Sequence, residues 1–153
     1  MILEFKKVHH HARTPDRAHP SDAGLDVFYS PHGDEPHPGR HVLPGESVIL
    51  GTGLKFGVPH GYMLEVKNRS GNAAKKSLLV GACVIDSGYD GEVFINLHNV
   101  GKLPQWIAPG MKVAQVVLTP VVHFRAAECT EGDLYDYPMT ISSRGQGALG
   151  STG

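Results

Sequence analysis

Short apolar runs, each bounded by glycine, proline, asparagine or aspartate, recur along the chain. Clear examples occupy positions 48–50, 62–67, 78–80 and 113–122. Apolar runs of roughly four to eight residues between such turn-forming residues are typical of β-strands. The pattern therefore predicts an all-β fold in which many short strands are joined by tight turns.

A helical pattern is confined to one place. Alanine and lysine around 72–76 favour a helix of one or two turns, and Ser70 is positioned to cap its start. Further along, the runs 84–85 and 92–98 flank a turn-rich segment at 86–91, which predicts a β-hairpin.

Composition and charge exclude several classes of function. The chain has 153 residues, 41% apolar and 19% charged, which suits a single globular core. Its 14 lysines and arginines nearly balance 15 acidic residues, whereas a protein that mainly binds nucleic acid normally carries a basic face. No segment approaches the roughly 18 apolar residues of a membrane span. Cys83 and Cys129 lack the spacing of a metal site, so we expect both to be free thiols. From composition and charge together we expect a soluble cytoplasmic protein with no nucleic-acid or membrane partner.

Three segments carry candidate chemistry. Asp86 ends an apolar run beside a turn, where a carboxylate either acts as a general base on water or merely caps the turn. Arg69, Ser70 and Gly71 precede the predicted helix and suit a phosphate, although a capped helix start with an exposed arginine also explains them. The tail at 144–153 offers a second arginine, two hydroxyls and unhindered amides, or is simply a disordered glycine-rich terminus.

The ten histidines include a cluster at 9–11 and a second group, His32, His37 and His41, in the breaker-rich segment 31–41, which predicts an exposed loop. Neither group has the helical spacing or the cysteine partners of common zinc sites. We interpret them as solvated side chains on loops and strand edges. Cys83, within an apolar stretch, is interpreted as a small core residue.

Five segments, taken in order, resemble the five motifs of the trimeric dUTPase family, and the likeness extends from about residue 2 to the end of the chain. They are 22–27 (DAGLDV), 68–71 (NRSG), 84–91 (VIDSGYDG), 109–115 (PGMKVAQ) and 144–153 (RGQGALGSTG). The resemblance implies a β-barrel or jelly-roll subunit over 1–143 and a flexible arm at 144–153 that closes over a neighbour's site in a homotrimer.

The same resemblance implies a reaction and assigns roles. The reaction is Mg²⁺-assisted hydrolysis of dUTP to dUMP and pyrophosphate, with water attacking the α-phosphorus and the cation held through phosphates and water rather than by protein ligands. Asp86 would orient that water, Tyr89 would stack beneath the deoxyribose, and the hairpin containing Val84 would bind the base. Asp26 and Lys112 would support the site. Phosphate contacts are implied for Arg69, Ser70, Gly71, Gln115, Arg144, Ser151 and Thr152, and Leu149 stands where the arm usually carries an aromatic lid.

Several positions depart from the family pattern. Leu149 offers no aromatic face, Lys112 replaces the usual arginine, and Asn68 replaces the usual proline. Val80 and Gly88 replace polar residues near the base-binding turn, which leaves the identity of the base open.

Three alternatives remain open from the sequence. A dCTP deaminase resembles this family in fold, but the glutamate that such enzymes use corresponds here to Asn96. Pyrophosphohydrolysis of another deoxynucleotide fits the same motifs. A nucleotide-switched trimeric binding or regulatory module, with a contact surface on the loop at 31–41, would need no catalysis.

Overall fold

The computed structural model describes residues 1–33, 39–136, 142 and 145–150. It divides into two compact units, Met1–Val122 and His123–Gly153. The described part of the first unit holds eleven strands and one short helix, which confirms the predicted all-β class. The described part of the second unit consists of bends, turns and irregular backbone, including a turn in which the Asp136 amide donates to the Asp133 carbonyl.

The strands are short, as the spacing of the turn residues predicts. In chain order they are β1 Phe5–Lys7, β2 Leu25–Phe28, β3 Arg40–Val42, β4 Ser47–Gly51, β5 Leu54–Phe56, β6 Tyr62–Lys67, β7 Leu78–Val80, β8 Val84–Ile85, β9 Phe94–Asn99, β10 Gln105–Ile107 and β11 Lys112–Pro120. The helix α1, Ser70–Lys76, lies between β6 and β7.

All the sheets are antiparallel. The largest has the strand order β2-β11-β6-β8, a second has the order β4-β9-β7, and β1-β5 and β3-β10 form two-stranded pairs. Strand β11 pairs with β2 on one side and β6 on the other, so that Gln115 lies opposite both Asp26 and Lys67. Strand β11 therefore places the fourth motif-like segment beside the first and beside the end of β6, directly before the second.

The core is built from alternate residues of the longer strands. In β9 the side chains of Ile95 and Leu97 are buried, whereas Phe94 and His98 on the opposite face are exposed. The same alternation buries Leu64 and Val66 of β6, because successive side chains of a strand point to opposite faces of its sheet. Each fully buried aliphatic side chain of this kind contributes about 1.5–3 kcal/mol relative to an exposed one.

Two predicted features of the secondary structure are wrong. The segment 86–91 does not close a hairpin, because β8 pairs with β6 while β9 pairs with β4 and β7. It is instead a crossover turn between two sheets. Ser70 does not cap α1 either: Arg69, with extended φ and ψ of −92° and 131°, is the N-cap residue and makes no side-chain capping bond, and Ser70 is the first helical residue.

Two further interpretations change with the structure. Cys83 is exposed rather than part of the core, because it lies in the connection between β7 and β8. Within the segment interpreted as a loop, Arg40 and His41 belong to β3, and 34–38 lie outside the described residues. Among the described residues, no helix is both long and apolar enough to cross a membrane.

Candidate active site

A shared carboxylate connects three of the motif-like segments. Asp26 of β2 accepts hydrogen bonds from Arg69 Nε, at 2.8 Å, and from Lys112 Nζ, at 2.7 Å, one on each carboxylate oxygen. The Asp26 side chain is only 13% exposed, so this pairing operates partly shielded from water. Both cations are therefore held beside the end of β6, where the second motif begins.

The pairing leaves Arg69 with unused donor capacity. A guanidinium carries five N–H donors, and the bond to Asp26 is made by Nε. Lys112 replaces the arginine that the family pattern has at this position. Its contact with Asp26 Oδ2 needs only a single N–H, so the ammonium group of a lysine is sufficient to make it. Asp26 thus orients Arg69 without consuming its whole hydrogen-bonding fork.

Strand β11 is fixed against this cluster by amide contacts. Gln115 Nε2 donates to the Asn68 carbonyl at 3.0 Å, beside the second motif. Asn72 of α1, which is buried, donates to the Lys112 and Val113 carbonyls at 3.1 and 3.3 Å. Asn72 was missed by sequence reasoning, because a polar residue in a short helix gives no local sign that it contacts a distant strand.

Gly24, in the first motif-like segment, permits this close packing. A Cβ at this position would lie 2.9 Å from the Val116 carbonyl oxygen and 3.0 Å from Gln115 Oε1, distances that real Cβ atoms avoid. Gly71 is different, since a Cβ there would meet no atom within 4 Å. The space beside Gly71 is therefore open within the described part of the chain.

The crossover turn at 86–91 presents the candidate base. The Tyr89 amide donates to the Asp86 carbonyl at 3.2 Å, and Gly88 adopts a φ of +87°, a value that glycine accepts without steric cost. Tyr89 Oη donates to the Glu92 carbonyl at 2.9 Å, which fixes the ring over the turn. Asp86 itself is exposed to solvent in the single chain.

A pocket of about 230 Å³ opens at this turn and is lined by Val84, Ile85, Asp86, Tyr89, Glu92, Val93 and Phe94. Typical small-molecule sites enclose about 300–1,000 Å³, so this pocket has room for only part of a nucleotide. A larger groove of about 970 Å³ runs along β1 and β5 and reaches Tyr89, but Asp86 is not among its lining residues. We therefore centre the candidate site on the smaller pocket.

Charge at the turn is also defined by Asp90. The Lys55 ammonium donates a hydrogen bond to this carboxylate and lies beside it as an opposite charge, which lowers the pKa of Asp90 below its ordinary value. This exposed ion pair links the turn to β5.

The phosphate-type cluster and Asp86 lie at opposite ends of β6. Ile85 is opposite Leu64, so Asp86 continues toward Met63, whereas Arg69 follows the other end of the strand. Because a strand rises about 3.3 Å per residue, the stretch of β6 from Met63 to Lys67 spans roughly 13 Å, and Arg69 lies two residues beyond its end. Within one chain, Asp86 and the cluster of Asp26, Arg69 and Lys112 thus lie apart, at opposite ends of β6.

The predicted arm is described only in part. Leu149 is fully exposed and has a φ of 51°, and Gly145 and Gly150 beside it also have positive φ. Arg144, Ser151 and Thr152 lie outside the described residues. Of the predicted site residues, the structure therefore brings Asp26, Arg69, Lys112 and Gln115 together and places Val84, Asp86 and Tyr89 together elsewhere.

Comparison with known proteins shows what the chain is similar to. A family model described as dUTPase matches residues 10–153. The chain is 37% identical over 153 residues to the deoxyuridine 5'-triphosphate nucleotidohydrolase of Clostridium acetobutylicum, covering 99% of this chain and 96% of that protein.

Solved structures share the fold. A mutant dUTPase of Staphylococcus bacteriophage 80alpha, solved with dUpNHpp, superposes with a TM-score of 0.83 at 24% identity, over 99% of this chain and 98% of that one. A mutant dUTPase from phage phi11 of S. aureus, in which the coordination of a structural Mg(II) ion is described, gives a TM-score of 0.75 at 25% identity, over 86% and 98% of the two chains. Since the family model spans nearly the whole sequence and a relative of more than a third identity matches end to end, this chain belongs to the dUTPase family.

Proposed function

We propose that this protein hydrolyses dUTP to dUMP and pyrophosphate, with a water molecule attacking the α-phosphorus, and that it does so as a homotrimer. The observation that carries the proposal is the hydrogen-bonded cluster of Asp26, Arg69 and Lys112, which unites residues from three motif-like segments far apart in sequence. The names of the relatives and the bound dUpNHpp of the phage 80alpha enzyme support the choice of substrate.

Arg69, Ser70, Gly71 and Gln115 form the phosphate-binding side of the proposed site. Arg69 is oriented by Asp26 and keeps donors for phosphate oxygens, while the open space beside Gly71 admits a phosphate close to the backbone. Gln115, held at the Asn68 carbonyl, adds an amide contact. Transfer of a phosphoryl group depends mainly on positioning and on neutralising charge, which this set of groups supplies.

Asp86 and Tyr89 form the nucleoside side. Asp86 accepts a proton from the attacking water and orients its oxygen toward phosphorus, which a carboxylate within hydrogen-bond reach does well. Tyr89, fixed through its hydroxyl, presents a ring face on which a deoxyribose packs and a 2'-hydroxyl would clash. Val84 lines the same pocket and contacts the base.

A complete site then requires more than one subunit. Asp86 and Arg69 lie at opposite ends of β6, which spans roughly 13 Å from Met63 to Lys67, so we infer that the two residues acting on one triphosphate come from different copies of the chain. Association is supported by apolar side chains on the outer face of the β4-β9-β7 sheet, where Ile49 is 67% exposed and Phe94 50% exposed. In the trimer these side chains would be covered, and Asp86 would be shielded from bulk water.

The arm at 144–153 is proposed to close over the bound nucleotide. Arg144, Ser151 and Thr152 would add contacts to the phosphates, and Leu149 would cover the base by apolar contact alone. The full exposure of Leu149 is consistent with a side chain that acquires its partner only on closure. Excluding water from the closed site would strengthen every ionic contact to the triphosphate.

Magnesium is compatible with the residues present. Both oxygens of Asp26 are already engaged by cations, so this carboxylate is not available as a metal ligand. The ion would therefore be held by substrate phosphate oxygens and water, as is usual for Mg²⁺ with nucleotides. When bound, it supplies neutralisation of phosphate charge. We further propose a cytoplasmic setting, which is consistent with two free cysteine thiols.

Product analysis tests the proposal. The purified chain is incubated with Mg²⁺ and, separately, dUTP, dCTP, dTTP and UTP, in water enriched in ¹⁸O, and the products are separated by ion-exchange chromatography. We expect dUMP and pyrophosphate from dUTP alone, with the label in dUMP because attack occurs at the α-phosphorus. The Asp86→Asn variant should bind a non-hydrolysable dUTP analogue normally while kcat falls by about 100- to 10,000-fold.

Other results would redirect the assignment. Label in pyrophosphate would place the attack at the β-phosphorus, and deamination of dCTP would favour the deaminase alternative. Equal turnover of dCTP or dTTP would show that Val80 and Gly88 permit another base. Binding without turnover of any nucleotide would favour the regulatory module, and unchanged turnover in Asp86→Asn would remove Asp86 as the base.

A further inference from the structure

We propose that His9, His32 and Glu92 form a binding site for a first-row transition-metal cation such as Zn²⁺, beside the pocket at the crossover turn, which Glu92 also lines. The three residues come from distant segments, yet each offers one ligand atom and these atoms all lie within 4.8 Å of one another. Neither histidine cluster visible in the sequence makes this site by itself. One histidine from each cluster is combined with a glutamate that follows the crossover turn.

His9 carries an unused ligand atom. Its Nε2 lies 3.1 Å from the Ser30 carbonyl oxygen, and its Nδ1 is buried without a hydrogen-bond partner among the described residues. If Nε2–H donates to the carbonyl, Nδ1 bears the lone pair, and a buried polar atom without a partner costs free energy. Metal-binding histidines commonly use one ring nitrogen for a carbonyl and the other for the ion, and His9 has one ring nitrogen beyond the one that contacts Ser30.

Glu92 is oriented toward His32 in a similar way. Its Oε1 accepts a hydrogen bond from the Gly53 amide at 2.8 Å, and its Oε2 lies 3.3 Å from His32 Nε2. The Glu92 side chain is only 11% exposed. One carboxylate oxygen thus fixes the side chain while the other faces the histidine.

Gly53 makes the close approach sterically feasible. It adopts a φ of +68°, and a Cβ there would lie 2.6 Å from His9 Nε2. Its amide is also the donor to Glu92. A residue without a side chain is therefore needed at position 53, which lies beside both His9 and Glu92.

The donor set indicates the class of cation. Two imidazoles and one carboxylate suit Zn²⁺, Co²⁺ or Ni²⁺, whereas Mg²⁺ and Ca²⁺ prefer oxygen ligands alone. Ligands bound at about 2.0–2.1 Å in a tetrahedral site lie roughly 3.4 Å apart, close to the 3.3 Å that separates His32 Nε2 from Glu92 Oε2. Contraction on the order of 1 Å would bring in His9, and the fourth position would hold water.

Metal titration of the full chain tests the site. The chain is stripped with EDTA, and Zn²⁺ is titrated by calorimetry in competition with a chromophoric chelator, while Co²⁺ is followed by its visible absorption. The variants are His9→Gln, His32→Gln and Glu92→Gln. His19→Gln, which removes an exposed histidine outside the site, is the matched control, and circular dichroism checks the fold of each.

We expect one high-affinity Zn²⁺ per chain, an affinity at least about tenfold lower in each of the three variants, and an unchanged affinity in His19→Gln. The intense visible bands of a four-coordinate Co²⁺ should appear in the parent chain and be lost in the variants. Equal affinity in all four variants, or loss only in a His10→Gln/His11→Gln chain, would overturn the proposal and assign binding to surface histidines. No binding at micromolar Zn²⁺ would reduce the cluster to a histidine–glutamate hydrogen bond.

Discussion

At the scale of single residues, substitutions away from the family pattern are compensated by contacts that sequence alone does not reveal. Asn68 stands where proline is usual, and its Oδ1 accepts a hydrogen bond from the Val80 amide at 2.7 Å. A proline has no side-chain acceptor and would leave that amide without this partner. The change at 68 therefore fixes β7 against the second motif rather than weakening it.

Gly71 gives a prediction that separates function from stability. Replacing it with alanine should leave the free energy of unfolding unchanged or raise it by up to about 1 kcal/mol, because glycine is a poor helix former and the added methyl meets open space. The same methyl would occupy the space proposed for a phosphate. We expect kcat/KM for dUTP to fall at least about tenfold, measured beside urea denaturation.

Lys75→Ala is the matched control for this substitution. It changes an exposed position of the same helix and should leave kcat/KM within about twofold of the parent value. Normal activity in Gly71→Ala would show that no phosphate approaches this backbone. A loss of stability would show instead that the helix start tolerates no side chain.

At the scale of elements, the end of α1 is conformationally costly. Ser77 caps the helix with φ and ψ of 52° and 35°, a left-handed conformation that costs a non-glycine residue about 1–2 kcal/mol. Ser77→Gly should relieve this strain, lose about 0.5–1 kcal/mol to the greater freedom of the unfolded chain, and raise the free energy of unfolding by up to about 1 kcal/mol.

Chemical denaturation at a fixed protein concentration measures this change, since an oligomer's stability depends on concentration. Ser77→Ala keeps the Cβ and removes the hydroxyl, so it should show no gain. If both variants were destabilised equally, the Ser77 hydroxyl would matter more than the backbone strain.

Local sequence pattern located several strands but not their partners. The predicted boundaries of β6, β7 and β8 agree with the structure, because turn residues delimit each apolar run. The prediction of a hairpin at 86–91 is wrong, because the alternation of apolar and polar residues indicates a strand but not the neighbour with which it pairs. Strands β1 and β10 have the sequences FKK and QWI, which mix polar and apolar residues, so no apolar run marks them.

The same limit applies to the candidate site. The resemblance to the dUTPase motifs indicated Asp26, Arg69 and Lys112 as members, but their shared hydrogen bonds depend on β11 pairing with both β2 and β6. The combination of His9, His32 and Glu92 had no sequence signal, because its members lie in three segments that only the tertiary fold brings together.

At the scale of the whole molecule, the separation of Asp86 from Arg69 supports the proposal that activity belongs to the assembly and not to the single chain. If each site takes its base from one subunit and its arginine from another, two inactive variants should complement each other. Asp86→Asn and Arg69→Gln chains are each purified, mixed in equal amounts in mild denaturant, and returned to buffer to exchange subunits. Half of the subunits carry wild-type Asp86 and the other half carry wild-type Arg69. In randomly mixed trimers about a quarter of the sites should therefore contain both wild-type residues.

The measured dUTPase activity of the mixture should accordingly approach about a quarter of that of a wild-type sample treated identically, although each variant alone stays near background. Mixing Asp86→Asn with Asp86→Asn/Arg69→Gln is the control, since no trimer of these chains regains the base. Sites built within single chains would give no recovery at all, because every chain then lacks one of the two residues. If activity recovers but light scattering shows oligomers other than trimers, the proposal of a shared site stands and the number of subunits is revised.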